Sequence, residues 1–267
     1  MWNWIQDHHR KKILETPFPP EWEAIMARNV AHYRRVAEVD RQHLRDLVQV
    51  FVVEKHWEGC GGLCLTDEIR VTIAAQACLM VLALPHDLYR GVESILVYPS
   101  TVVRPERKVG VFEVQGGLSG GPVPILGQAQ ARGPVILVWD SVLQTARHPE
   151  GGHNVVYHEF AHKLDLLEGH ADGTPPLKGP EQYRRWVEVC SKEFLSLRAK
   201  AAKGKRTFLD AYGAVNEAEF FAVVTEQFFD QPLAMKERHS ELYEVLRDFY
   251  QQDPALQSAQ DQQPVHS

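Results

Sequence analysis

His158-Glu159-Phe160-Ala161-His162 lies within an apolar stretch running from Val155 to Leu167, and its reading decides the fold and chemistry of this 267-residue chain. Two histidines four apart on an α-helix lie on one face, offset by about 40° and about one turn. Their imidazole nitrogens can then share one tetrahedral Zn²⁺. Glu159, directly after the first histidine, can point at a water in the open metal position and act as general base. Val155, Val156, Tyr157, Phe160, Ala161, Leu164, Leu166 and Leu167 make the rest of the segment apolar. A buried helix that keeps two imidazoles and a carboxylate at its centre needs partners for them, because unpaired buried polar groups are costly. A metal supplies those partners.

Composition narrows the remaining possibilities. With 44% hydrophobic residues the chain can bury a large core. A net charge of −6 gives no basic footprint, which argues against nucleic acid as a direct partner. No apolar run approaches the roughly 20 residues needed to span a bilayer, so no membrane partner is expected. The N-terminus does not read as a secretory signal, and four cysteines are too few for a disulfide scaffold. The expected location is cytoplasmic. Cys60 and Cys64 lack a second metal-binding pair and read as ordinary thiols.

Periodicity divides the chain into an N-terminal segment, residues 1–20, a domain over 21–250, and a polar tail over 251–267 expected to be disordered. Within the domain, residues 21–90 read as helical and 91–250 as the sheet and catalytic part. Trp22 to about Lys55 predicts two helices broken near Val39-Asp40, and Trp57 to Gly62 predicts a loop. Thr66-Asp67-Glu68 opens a central apolar helix that ends near Leu84. Ile95–Tyr98, Val111–Val114 and Val135–Trp139 read as strands. Helices return at about 141–147, with Asp140 as cap, then at 153–168, 182–200, 217–230 and 232–250. Helices, then a small sheet, then helices again indicate an α+β fold.

A catalytic zinc site needs a third protein ligand. Glu168 lies ten residues after His158, but no glycine precedes it to break the helix. In a continuous helix it would sit about 9 Å beyond His162 along the axis and face elsewhere. It therefore reads as a solvated helix-end acid, with His170 and Asp172 as loop residues. The segment Asn216 to Glu226 is the better source. Glu219 and Glu226 share a helix face among apolar residues, and geometry alone leaves Glu217, Glu219 and Glu226 open.

His158-Glu159-Phe160-Ala161-His162-Lys163-Leu164-Asp165, Tyr212 and Ala218-Glu219-Phe220-Phe221-Ala222-Val223 together resemble the zinc-dependent peptidases of the Mlc titration factor A family. Gly59-Cys60-Gly61-Gly62-Leu63, followed by Leu65 to Ala77, resembles the same family's upstream helix. The resemblance covers roughly residues 10 to 250. It implies a zincin-like metallopeptidase core, similar to the protease domain of anthrax lethal factor, with a small mixed sheet, an HExxH helix and additional N- and C-terminal helices.

In that arrangement a tyrosine precedes the glutamate ligand by seven residues, which selects Glu219 and leaves Glu217 on the surface. The resemblance thus implies one zinc held by His158, His162 and Glu219, Glu159 as general base, and Tyr212 as donor to the oxyanion. Asp165, on the metal face, is expected to accept from a histidine N–H, and Glu226 to do likewise. Val135–Trp139 is the candidate substrate-pairing strand. The activity implied is aminopeptidase-type hydrolysis of small peptide substrates. The family's known capture of the glucose repressor Mlc offers a rival role, in which the partner is a transcriptional repressor. Zinc as a purely structural ion would leave Glu159 without a purpose.

Overall fold

The computed structural model describes residues 2–85, 89–100 and 133–261. The helices in chain order are α1 (Trp2–Leu14), α2 (Pro20–Asn29), α3 (Glu38–Glu54), α4 (Asp67–Met80), α5 (Trp139–Arg147), α6 (Val155–Asp165), α7 (Pro180–Ala201), α8 (Glu217–Asp230), α9 (Pro232–Arg238), α10 (Ser240–Tyr250) and α11 (Pro254–Asp261). The strands β1 (His56–Gly59), β2 (Ser94–Tyr98) and β3 (Val135–Val138) form a sheet of order β1-β2-β3. The α+β class stands.

Both strand pairs are parallel, with Trp57 opposite Ile95 and Val97 opposite Leu137. The described sheet is therefore parallel, not mixed, because α4 carries the chain back across between β1 and β2. The expected strand at Val111–Val114 lies outside the described residues. β1 replaces an expected loop. Its four residues carry little strand pattern, and it is placed by pairing, continued by the bond from Cys60 N–H to the Val97 carbonyl (2.8 Å). Along β3, Val135 and Leu137 are buried while Ile136 is 54% exposed, the period-2 alternation of a strand with one packed face.

α4 is the central helix, buried from Val71 to Met80, and Thr66 caps it by accepting from Ile69 N–H. α6 packs between α4 and α8; Tyr157 meets Phe229 of α8 at 5.1 Å, and Phe160 meets Tyr89, in the segment after α4, at 4.9 Å between ring centroids. This packing fixes the spacing of α6 and α8, the two helices that carry the candidate ligands.

Several boundaries differ from the sequence reading. The break after α2 is a short 3₁₀ turn at Ala31–Arg35, upstream of Val39-Asp40, and it buries Tyr33. α5 starts at Trp139, so Asp140 lies in its first turn instead of capping it. The N-terminal segment is a helix docked on α3, with Arg10 in a two-pronged ion pair to Glu54 (2.7 and 2.9 Å). The tail expected to be disordered forms α11 as far as Asp261. It docks with Ala255 buried in the core, and polar ties add to this: Gln252 Nε2 donates to the Leu79 carbonyl (3.0 Å), and Ala255 N–H donates to the Tyr243 hydroxyl (2.9 Å). Hydropathy does not register such contacts.

Candidate metal centre

Asn154 begins the site by ending the loop before α6. Its side chain accepts from Tyr157 N–H (3.1 Å) and donates to Gln76 of α4 (2.9 Å). The helix so started projects His158 and His162 on one face, with ring centroids 4.9 Å apart. Asn216 caps α8 in the same way, accepting from Glu219 N–H (2.8 Å), and Glu219 then turns toward α6.

Three atoms converge. His158 Nε2 lies 3.1 Å from Glu219 Oε2, His162 Nε2 lies 3.5 Å from the same oxygen, and the two Nε2 atoms are 3.2 Å apart. A tetrahedral zinc with bonds of about 2.0–2.1 Å has ligand–ligand edges of about 3.3–3.4 Å. The donor set and its spacing fit such an ion, and this is the one His/Cys/Asp/Glu group able to hold a metal among the described residues. The four cysteines are free thiols.

Glu226, about two turns beyond Glu219 on the same face of α8, supports this triad. Its Oε1 accepts from His158 Nδ1 (2.7 Å) and its Oε2 from Asn154 N–H (2.6 Å). The bond fixes the proton on Nδ1 and leaves the Nε2 lone pair for the metal. Asp165 does not share this role. It is fully buried and accepts instead from Gly173 N–H (3.0 Å) and Thr174 N–H (2.8 Å). The loop it holds is tight: Gly173 has φ +77°, and a Cβ there would run into the Glu217 carbonyl. Asp165 thus anchors the α6 exit to the start of α8. Glu226→Ala should weaken zinc binding about 10–100-fold. Asp165→Asn should lower the melting temperature with little change in zinc affinity, and chelator competition beside thermal melts would check both.

The electrostatics follow from burial and proximity. Burial opposes charge on Glu219, yet hydrogen bonds from His158 and His162 bring its pKa down to about 2. Burial likewise opposes charge on His158, but Glu219 and Glu226 outweigh it and push the imidazole up to about 10. Glu159, half-buried, is raised by burial chiefly and by the Glu219 charge, against the two histidines. A histidine must be neutral to ligate, so binding at neutral pH expels the proton held by His158. Zinc affinity should therefore tighten as pH rises toward 10, by about tenfold per unit for one proton. Competition titrations between pH 6 and 8 would measure the slope, and a flat profile would contradict it.

Tyr212 stands on a 3₁₀ turn, Ala211–Ala214, whose cap is Asp210, with Oδ1 accepting from Tyr212 N–H (2.7 Å). Its ring lies 6.0 Å from that of His158, and burial and the Glu219 charge raise its pKa. A cavity of about 370 Å³ opens beside His158, walled by Thr145, Val155, Tyr212 and Val223. Glu217 is exposed, as expected, while Glu168 closes a 3₁₀ turn beyond α6. His153, Asn154 and Asp210 border the site although no sequence motif marks them. Asn154 had a local signal as a residue with cap chemistry just ahead of an apolar helix; His153 and Asp210 had none.

The profile of the glucose-regulated metallopeptidases M90 matches residues 4–251. The chain belongs to this family. Among similar proteins, an uncharacterised protein of Synechocystis sp. is 35% identical over 261 residues, covering 95% of this chain and 91% of its own length. The Mlc titration factor A of Serratia proteamaculans is 34% identical over 196 residues, or 72% of each chain. That of Pectobacterium atrosepticum is 30% identical over 262 residues, covering 95% and 92%. Among the described residues, no helix of this M90 protein is long and apolar enough to cross a membrane.

Proposed function

We propose that this M90 chain is a zinc-dependent peptidase of aminopeptidase type acting on small peptides, with His158, His162 and Glu219 as ligands in a zincin-like core. The observation that carries the reading is the convergence of three ligand atoms, 3.1–3.5 Å apart, on helices that also bring Glu159 beside them. When bound, zinc supplies a Lewis acid that makes a water nucleophilic near neutral pH and polarises a carbonyl.

The chain's own groups do the rest. Glu159 takes the proton from the attacking water and passes it to the leaving amine, a transfer favoured by a pKa raised toward the working pH. Glu226 holds His158 in the ligating tautomer. Tyr212 keeps its proton and donates it in a hydrogen bond to the carbonyl oxygen as charge develops there. β3, an edge strand among the described residues, offers main-chain pairing to an extended substrate. A reducing compartment, the cytoplasm, suits the free thiols.

The test is zinc content and hydrolysis of chromogenic aminoacyl substrates, measured side by side for the intact protein and Glu159→Gln. Hydrolysis that persists after complete chelation would sink the reading. Tyr212→Phe should lower kcat on the order of 10²-fold, about 2.7 kcal/mol, with KM and zinc content little changed. A tyrosine that only shapes the turn predicts a lower melting temperature and normal turnover instead.

The relatives named Mlc titration factor A favour a second reading, capture of a glucose repressor of the Mlc kind with hydrolysis secondary. Binding of such a repressor by Glu159→Gln at wild-type affinity would show that capture does not need catalysis.

A further inference from the structure

Asp210 uses both of its carboxylate oxygens. Oδ1 caps the 3₁₀ turn through Tyr212 N–H at 2.7 Å, and Oδ2 pairs with His153 Nε2 at 3.2 Å. The other ring nitrogen of His153, Nδ1, lies 3.7 Å from Glu226 Oε2. Glu226 in turn holds His158 Nδ1 at 2.7 Å. A continuous polar path therefore runs from the Tyr212 turn, through Asp210 and His153, to the carboxylate behind a candidate ligand. All of these groups face the cavity beside His158.

The path joins segments that the chain brings together from far apart: the loop before α6, the turn before α8, and α8 itself. His153 is 59% exposed, so its pairing with two carboxylates is not forced by burial. A carboxylate needed only as a cap would use one oxygen and leave the other to solvent. Here the second oxygen ties the cap to His153, in the loop just ahead of α6.

We propose that Asp210 is a positioning residue that couples the placement of Tyr212 to the support of His158, with His153 as the link. The proposal rests on the peptidase reading for its Tyr212 arm and only on the zinc site for its His153 arm. Groups that orient a ligating histidine directly are worth about 10–100-fold in metal affinity. One step further out, Asp210→Ala and His153→Ala should each weaken zinc binding by about 3- to 10-fold. Asp210→Ala should also lower kcat by about tenfold with KM within about twofold, since a misplaced donor is felt in the transition state. Asp210→Asn keeps an oxygen for the Tyr212 cap and should recover most of that kcat.

The deciding experiment is a double-mutant cycle of Asp210→Ala with Tyr212→Phe on the full chain, together with zinc affinity by chelator competition and melting temperatures. If Asp210 acts through the phenol, its removal changes kcat less than about twofold in the Tyr212→Phe background. Equal losses of kcat in both backgrounds would overturn the proposal, as would unchanged zinc affinity in both Asp210→Ala and His153→Ala. A lowered melting temperature with normal kcat and zinc affinity would reduce Asp210 to a structural cap and overturn it as well. If the wild-type protein hydrolyses no peptide, the peptidase reading fails, and the zinc measurements alone decide the coupling.

Discussion

Glu159→Gln is expected to bind one zinc per chain, melt close to the wild type, and lose peptide hydrolysis by on the order of 10³–10⁴-fold in kcat. The substitution is nearly isosteric and removes only the carboxylate's ability to take and return a proton. Glu159 is not among the three converging atoms, so ligation is untouched. Its burial makes the ionised form costly, so a neutral amide should be tolerated or slightly stabilising. KM should change little, because the general base acts as the proton moves and not when substrate binds. Metal analysis and turnover on the same preparation would check this. Turnover within tenfold of wild type would remove Glu159 from its assigned role.

The pairing of the two candidate ligand histidines was legible in the sequence because an α-helix turns spacing into direction. Four residues along α6 place two imidazoles side by side, whatever surrounds them. The α4 and α8 helices were legible for a related reason: each carries cap chemistry at Thr66 or Asn216 followed by a long apolar run. Glu219 was harder. Spacing alone put it level with Glu217 and Glu226, and only the resemblance separated them. The structure brings Glu219 to the histidines and leaves Glu217 exposed.

Asp165 departs from the role that spacing suggests, whereas Glu226 takes the expected one as acceptor from a histidine N–H. Asp165 lies on the face expected of a histidine partner, but two backbone N–H groups from the 173–174 loop claim both of its oxygens. Glu226 reaches His158 from another helix, through an interhelix distance that no local pattern encodes. β1 and α11 were missed for the complementary reason. β1 is ordered by backbone pairing, and α11 by one small buried side chain, Ala255, with a few polar bonds, neither of which leaves a periodic apolar trace. His153 and Asp210 are connected only by tertiary structure, and from sequence they read as ordinary loop polar residues.

Removal of a ligand should have the largest effect on the metal itself. Bound structural zinc is worth about 10–16 kcal/mol, so losing one of three protein ligands should cost roughly 4 kcal/mol, or on the order of 10³-fold in affinity. His162→Ala is expected to lose zinc to that extent because His158 and Glu219 alone leave two coordination positions open. Glu219→Gln should fall somewhat less, since the amide oxygen can still approach the ion but brings no charge. The same change removes a carboxylate that holds His158 protonated, which partly offsets the loss by easing proton release. Glu217→Gln and Glu168→Gln are the controls, expected to stay within about twofold. Glu217 faces solvent, and Glu168 lies on a 3₁₀ turn past the end of α6, just before the left-handed Gly169. Chelator competition on all four variants, with melting curves to confirm folding, would rank them. Loss of zinc in Glu168→Gln with retention in Glu219→Gln would move the third ligand from α8 to the end of α6.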